Sequence, residues 1–478
     1  MNNIKIIYNF AWRFFERSST HGITLCVSII LARILGPDIF GTIALIMVFT
    51  SILEPFINSG LANALIQKKS ADDTDFSTVF YFNILLCIFL YLILYLFAPK
   101  ISHFYHKSNL TLIIRILGLS LIISGIRNIQ QAYISRNMLF KIFFFSTLIS
   151  TSISAFISIL MAIYGYGIWS LVTQQLLNNI IGTIILWYST KWRPKLLFSY
   201  IRLKKLLGFG WKLLFCSLID RCYMEMRALI IGRLYKPTDL AFYNRGYQFP
   251  NLLINNINDS INSVIFPTIS QLQDNKEQVK KIANQGIQYS FCFVAPAMVG
   301  LASIATPLVR ILLSDKWLPC VPYLRISCIS LMFMPIHYMN LNIITALGRS
   351  DLALKLEIIK KIIGFILLLS SMKFGVLAMA YTLLIQCFFS IIINIYPNKK
   401  LINYSYMEQL KAIFPYLSLA FVMGILIFPI SLLKYPNYII LFSQIIIGAF
   451  IYIGCLALLK LDCYEKGKKL FISFIKKR

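Results

Sequence analysis

The chain has 478 residues, 58% of them hydrophobic and only 13% charged, with 46 Lys and Arg against 18 Asp and Glu for a formal net charge of +28. A soluble globular protein of this length does not need so much apolar surface. A bilayer core about 30 Å thick takes about 20 apolar residues to cross as a helix, so many crossings are implied. The ten cysteines stand singly, mostly inside apolar runs, with no C-x-x-C and no Cys/His metal spacing, which points to buried structural thiols and to no metal site.

In chain order, residues 1–17 set Ile4, Ile7, Phe10, Ala11, Phe14 and Phe15 beside Lys5, Arg13 and Arg17, the pattern of an amphipathic lead-in lying on a membrane surface. The first apolar run has no small-residue cleavage site before a soluble domain, so it reads as a retained span rather than a signal peptide. Six spans are predicted at 18–35, 39–60, 77–98, 110–133, 141–164 and 168–188, together an N-lobe over 18–190. A basic connector at 191–206, from Lys191-Trp192-Arg193-Pro194-Lys195 to Arg202-Leu203-Lys204-Lys205, separates them from a C-lobe over 207–396. That lobe is read as spans at 207–231, 243–270, 286–313, 321–346, 352–371 and 375–396. Two further spans, 411–433 and 437–459, occupy 397–459, and a basic tail fills 460–478. The expected fold is therefore an all-α integral membrane protein of about 14 helices, with two six-helix lobes and two extra C-terminal helices.

The two lobes read as copies of one unit. Arg33-Ile34-Leu35-Gly36-Pro37-Asp38-Ile39-Phe40-Gly41 aligns with Arg233-Leu234-Tyr235-Lys236-Pro237-Thr238-Asp239-Leu240-Ala241, with Arg and Pro at the same spacing. Tyr166-Gly167-Ile168-Trp169 aligns with Phe374-Gly375-Val376-Leu377, and Ala98-Pro99 with Thr306-Pro307. Long-period self-similarity of this kind marks an internal repeat.

Lys and Arg concentrate in the even-numbered connections, at Lys68/Lys69, Arg136, the 191–205 cluster, Lys276/Lys280/Lys281, Arg349 and Lys399/Lys400, and at both ends of the chain. Cytoplasmic loops retain positive charge, so these connections and both termini are expected in the cytoplasm. The basic excess is then a topology signal and an attraction to anionic lipid, not a nucleic-acid footprint. The opposite connections are too short for an external catalytic domain, and the chain has no G-x-x-x-x-G-K-[ST] phosphate loop.

Charges inside the predicted spans are costly in lipid and should pair or face a wet interior. They include Arg33, Arg115, Arg127, Lys212, Arg221, Arg227, Arg310 and Arg325, with Glu54, Asp220, Glu225 and Asp259. Arg33, Lys212 and Arg310 lie near span ends, where long side chains snorkel to the interface. Asp220-Arg221-x-x-x-Glu225-x-Arg227 puts four charges in eight residues, either a self-neutralised stripe or the wall of a polar cavity. Arginine offers bidentate donors to phosphate oxygens. Arg115, Arg127, Arg221, Arg227 and Arg325 are the candidates to meet an anionic head group. Glu54, Asp220, Glu225 and Asp259 are the candidate pairing or coupling acids. Amides such as Asn58, Asn83, Asn128, Gln130, Gln131, Gln174, Gln175, Asn255, Asn256, Asn258 and Asn262 suit sugar hydroxyls, or act as glue between helices.

Arg33-Ile-Leu-Gly-Pro-Asp-Ile-Phe-Gly41 and Asn58-Ser-Gly-Leu-Ala-Asn-Ala-Leu-Ile-Gln67 followed by Lys68-Lys69 resemble the opening of bacterial Wzx-type polysaccharide flippases. These belong to the multidrug/oligosaccharidyl-lipid/polysaccharide exporter superfamily. The resemblance continues through Phe76-Ser-Thr-Val-Phe80, Gly165-Tyr-Gly-Ile-Trp-Ser-Leu-Val172, Trp192-Arg-Pro194, Phe266-Pro-Thr-Ile-Ser-Gln-Leu-Gln273, Lys316-Trp-Leu-Pro319 and Ala346-Leu-Gly-Arg349, nearly end to end. It implies lobes around a central cavity that opens alternately to either side. The implied activity moves undecaprenyl-pyrophosphate-linked oligosaccharide repeat units from the cytoplasmic to the periplasmic leaflet of the inner membrane, for lipopolysaccharide O-antigen or exopolysaccharide. It implies no enzyme activity and no cofactor, with a proton or sodium ion as the open choice of coupling ion. The partners are the lipid-linked substrate, membrane lipids and the polysaccharide polymerase machinery, with no nucleic acid, and one chain holding both lobes suffices as a monomer. The rival readings are a membrane glycosyltransferase or polymerase acting on the same lipid-linked substrate, and a multidrug exporter of the same superfamily.

Overall fold

The computed structural model describes residues 3–58, 61–68 and 71–466; the side chains of Asn58, Lys212, Asn256, Asp259 and Asn262 lie outside the described set. Every regular element among the described residues is helical. The order is α1 (Asn3–Asn58), α2 (Leu61–Gln67), α3 (Asp73–Phe104), α4 (Leu110–Arg136), α5 (Phe140–Ile163), α6 (Ile168–Ser189), α7 (Tyr200–Leu234) and α8 (Pro237–Gln271). Then come α9 (Lys276–Ser303), α10 (Ala305–Leu312), a 3-10 turn (Asp315–Cys320), α11 (Val321–Met332), α12 (Met334–Ala346), α13 (Ser350–Ser371), α14 (Val376–Ile402), α15 (Tyr406–Ile427), a second 3-10 turn (Phe428–Leu432) and α16 (Asn437–Leu458).

Among the described residues, nine stretches are long and apolar enough to cross a membrane: Ser19–Ile57, α3, α4, α5, α9, Asp315–Ala346, α14, Tyr406–Leu432 and α16. This is the all-α integral membrane architecture that composition requires. Helices α6, α7, α8 and α13 also run 22 to 35 residues but carry amides and charges along their length.

Two predicted spans meet an unforeseen break, and one predicted turn becomes a sharp kink. The segments 18–35 and 39–60 are two helices that meet at Gly36, which leaves the helical region at φ 72° and ψ 173°, the turn that Gly36-Pro37 predicts. A side chain there would be strained, and glycine is the residue that adopts it freely. The segment 321–346 divides at Phe333, since Pro335 at the start of α12 cannot donate to the preceding turn. The segment 286–313 becomes α9, which starts at Lys276, followed by the short α10.

Two of the three repeated motifs stand at corresponding places, each just before a helix or at a kink. Pro37 follows the Gly36 kink, and Pro237 opens α8 after the extended Tyr235. Gly167 and Gly375, at φ 55° and 102°, immediately precede α6 and α14. The third pair diverges: Pro99 lies inside continuous α3, whereas Pro307 belongs to α10 beyond the end of α9.

The chain divides into two compact units, Met1–Ala241 and Phe242–Arg478. In the first, α1 packs on α5, α7 and α4, α3 on α4, and α5 on α6. Lipid tails are as apolar as leucine, so tight helix contact inside a membrane relies on small residues and hydrogen bonds. Helix α5 supplies both, with Ser146, Ser150, Ser154 and Ser158 buried at every fourth position. Ser146 Oγ donates to the Gly182 carbonyl at 3.0 Å, tying α5 to α6. In the second unit α9 is the central post, packed by α15, α11, α12 and α14.

Candidate functional site: a polar cavity in the first unit

Helices α1, α4 and α6 enclose a cavity of about 410 Å³. Helix α1 contributes Thr50, Ser51, Glu54 and Ile57; α4 contributes Ser120, Leu121, Ser124, Arg127, Asn128 and Gln131; α6 contributes Gln175, Asn178 and Asn179. Positions 120, 124, 127 and 131 recur at the helical period and give α4 one polar stripe. Within a bundle built for lipid, such a stripe is stable only where it faces water, a ligand or another polar group.

Two buried atoms on this wall have no hydrogen-bond partner, the donor Arg127 Nε and the acceptor Gln175 Oε1. Buried polar groups are nearly always paired, so this orphaned donor and acceptor face a space that water or a polar ligand fills. The Arg127 guanidinium lies close against α6 where Gly182 has no side chain; a Cβ there would stand 3.1 Å from its Nη1. Glu16 of α1 is its electrostatic partner.

The rim at Glu54 is built by local backbone chemistry. Pro55 sits inside α1 and has no N–H for the Ser51 carbonyl four residues back. Arg221 of α7 supplies a donor there instead: its Nε is 3.3 Å from Ser51 O, and its Nη2 donates to Glu54 Oε2 at 3.2 Å. Glu225, one turn on in α7, lies 3.5 Å from the same Nε. At the end of α1, the Ile57 carbonyl has run out of helical donors, and Asn128 Nδ2 donates to it at 2.6 Å.

The structure thus brings together Arg127, Glu54, Arg221 and Glu225 of the sequence candidates. Asp220 is exposed on α7 and Arg227 half-buried on the same helix. Arg115 is not on the cavity wall; its guanidinium lies over the Tyr95 ring, 4.0 Å from the centroid, at the α3–α4 contact. Asp259 lies outside the described side chains. Arg325 belongs to the second unit, where it is the one charged residue lining an apolar cavity of about 490 Å³ formed by α9, α11, α15 and the turn after α15. There its Nε donates to Ala302 O at 3.3 Å, its Nη2 to Thr306 Oγ1 at 3.2 Å, and it stacks over Phe428. Sequence reasoning missed Thr50, Ser51, Ser120, Ser124, Asn178 and Asn179. The helical spacing of Ser120 and Ser124 with Arg127 was the signal available for the α4 residues.

Comparison with known proteins agrees with this architecture. The family model described as polysaccharide biosynthesis protein matches residues 30–322. The chain is 27% identical to the teichuronic acid biosynthesis protein TuaB of Bacillus subtilis (strain 168), covering 79% of this chain and 78% of that protein. It is 24% identical to the succinoglycan biosynthesis transport protein ExoT of Rhizobium meliloti (strain 1021), covering 69% and 67%. Among solved structures, the lipid II flippase MurJ in its inward closed conformation superposes with a TM-score of 0.75 over 95% of this chain and 98% of that one, at 18% identity, a likeness of fold. The resemblance read from the motifs holds, and the chain belongs to the polysaccharide biosynthesis protein family of membrane proteins.

Proposed function

We propose that this protein is a flippase that carries undecaprenyl-pyrophosphate-linked oligosaccharide repeat units from the cytoplasmic to the periplasmic leaflet of the bacterial inner membrane. The observation that carries this reading is the polar cavity with its orphaned Arg127 Nε and Gln175 Oε1, in a bundle otherwise suited to lipid. Guanidinium donors suit pyrophosphate oxygens. The surrounding Ser, Thr, Asn and Gln side chains offer the neutral donors and acceptors that sugar hydroxyls need. The names of the relatives, a succinoglycan transport protein and a teichuronic acid biosynthesis protein, support a polysaccharide precursor as cargo.

A charged head group held in a polar interior, with its isoprenoid chain left in the bilayer, crosses without exposing bare charge to hydrocarbon. The apolar cavity beside Arg325 suits an alkyl or isoprenyl chain ending near a phosphate. Alternating access by rocking around a central site is the movement that repeat-built transporters use. Both termini are placed in the cytoplasm on the distribution of Lys and Arg. The protein acts here as a monomeric transporter that feeds the polymerase machinery, without enzymatic chemistry of its own.

The test is deletion of this gene alone, followed by extraction of polyprenyl-linked intermediates and assay of surface polymer. Completed repeat units trapped on the inner leaflet with loss of surface polymer are expected. Single units exposed on the outer face would make the protein a polymerase or ligase, and unchanged pools would point to a small-molecule exporter.

A further inference from the structure

A second buried polar cluster lies in the other unit, across α12, α13 and α14. Lys360 of α13 is almost fully buried, and its Nζ donates to Glu357 Oε1 at 2.5 Å. The same carboxylate oxygen is 4.0 Å from His337 Nε2 of α12. On its other side, His337 Nδ1 lies 2.7 Å from Asn394 Nδ2 of α14. An amide nitrogen only donates, so Nδ1 here is the lone-pair acceptor, and the imidazole is the neutral tautomer with its proton on Nε2, toward Glu357. Asn394 is fully buried, and its Oδ1 has no partner.

We propose that His337 is a proton-binding site that couples the packing of α12, α13 and α14 to proton movement, and so supplies the coupling ion for the transport reading above, on which it rests. A proton from water adds to the Nδ1 lone pair and gives an imidazolium. This removes the hydrogen bond from Asn394 Nδ2 to the ring, and with it the longer one that Nδ2 makes to the His337 carbonyl at 3.4 Å. Rotating the Asn394 amide presents its unpartnered Oδ1 to the new N–H. The imidazolium Nε2–H is drawn to Glu357 and competes with Lys360 for that carboxylate, pulling α13 toward α12. The two protonation states therefore favour two arrangements of three helices, the requirement for a ligand to shift a conformational equilibrium.

The groups bearing on His337 are few. From α13 they are Glu357 and Lys360, from α14 the neutral Asn394, and on its own helix the adjacent Tyr338 ring. The buried faces of α9 and α11 carry the thiols Cys292 and Cys328 and no charged side chain. Cys387 of α14 is engaged with the Ser330 carbonyl. Beyond Asn394 the network continues as neutral amides, with Asn398 Nδ2 donating to Asn340 Oδ1 at 2.8 Å. A proton at His337 therefore acts on this network through one carboxylate, Glu357, which Lys360 already holds.

Hydrogen–deuterium exchange of the full-length protein in nanodiscs, across pH 3 to 8, tests the site without needing substrate. Wild type should show amide protection of α12–α14 changing with one midpoint. Asn394→Asp sets a carboxylate against Nδ1–H and should raise that midpoint by about one pH unit, a tenfold tighter proton. His337→Gln should flatten the profile. In cells, His337→Gln should cut surface polymer at least about tenfold at unchanged protein level. A flat wild-type profile, a midpoint that survives His337→Gln, or one that Asn394→Asp leaves in place would overturn the site. Full polymer in His337→Gln cells would overturn the coupling role. A flat exchange profile with trapped repeat units in the deletion strain would sink this proposal while leaving the flippase reading intact.

Discussion

Arg221 and Ser51 are joined by a bond that exists because of a third residue: Pro55 leaves the Ser51 carbonyl without its helical donor, and the Arg221 Nε stands 3.3 Å from it. The same guanidinium reaches Glu54 and lies beside Glu225, so one side chain holds α7 to α1 at the rim of the polar cavity.

Replacing Arg221 separates transport from stability. Its ion pairs are partly exposed, and such pairs are worth about 0.2–1 kcal/mol. Arg221→Ala should lower thermal stability of the purified protein by less than about 1 kcal/mol, yet abolish surface polymer, because Glu54 and Glu225 lose the cation between them. Normal polymer in this variant would remove the α7 rim from the transport site.

Arg127→Ala should abolish surface polymer at normal protein level. A charge-assisted hydrogen bond is worth about 1.5–3 kcal/mol, so affinity for a pyrophosphate lipid should fall by about ten- to a hundredfold. Binding to undecaprenyl pyrophosphate in detergent is the measurement, and wild-type affinity would sink the assignment.

Gly41 and Pro237 belong to the two copies of the repeated turn and press against each other. A Cβ on Gly41 would fall 1.8 Å from the Pro237 carbonyl oxygen, which is backbone and cannot rotate away. Gly41→Ala should cost about 1–3 kcal/mol as an overpacked contact, measured as a lowered melting temperature. Gly208→Ala is the control, since a Cβ there meets nothing.

The corner between α2, α3 and α7 predicts an acid limit. Arg202 bonds Asp72, and together with the Asp75 amide this holds the Asp72 carboxyl down at about 2. A depressed carboxyl adds stability that is complete above its ordinary value near 4 and is lost as pH falls toward 2. Trp192 is buried nearby among Phe76, Phe80 and Tyr133. Its fluorescence should report loosening between about pH 4 and 2, and Asp72→Asn should remove that step.

The membrane class and most helix limits were legible because apolar run length is set by bilayer thickness and little else. The Gly-Pro turns were legible as repeats because glycine and proline restrict backbone angles wherever they stand. The division of 321–346 into α11 and α12 depended on Pro335, which a hydropathy window averages away. The site was only partly legible. Arg127, Glu54 and Arg221 announce themselves as charges in apolar runs, but serine and asparagine on α4 and α6 read the same whether they line a cavity or glue helices. Glu357 and Lys360 lie within the predicted span 352–371, where a Lys three residues from a Glu looks like a solvated helix end until its burial is known.

The helices beyond the repeat have a consequence for biogenesis. Asn340 of α12 and Gln409 of α15 exchange two hydrogen bonds, and Tyr452 of α16 donates to the Cys292 carbonyl of α9. A ribosome that has released residues only as far as α14 leaves the α9 face that α15 covers bare and the Asn340 amide without this partner. Chains fold from the N-terminus as they emerge, so the second unit cannot close until the last two helices have entered the membrane. A nonsense codon after residue 403 should therefore yield a chain that membrane quality-control proteases clear, rather than a shortened transporter.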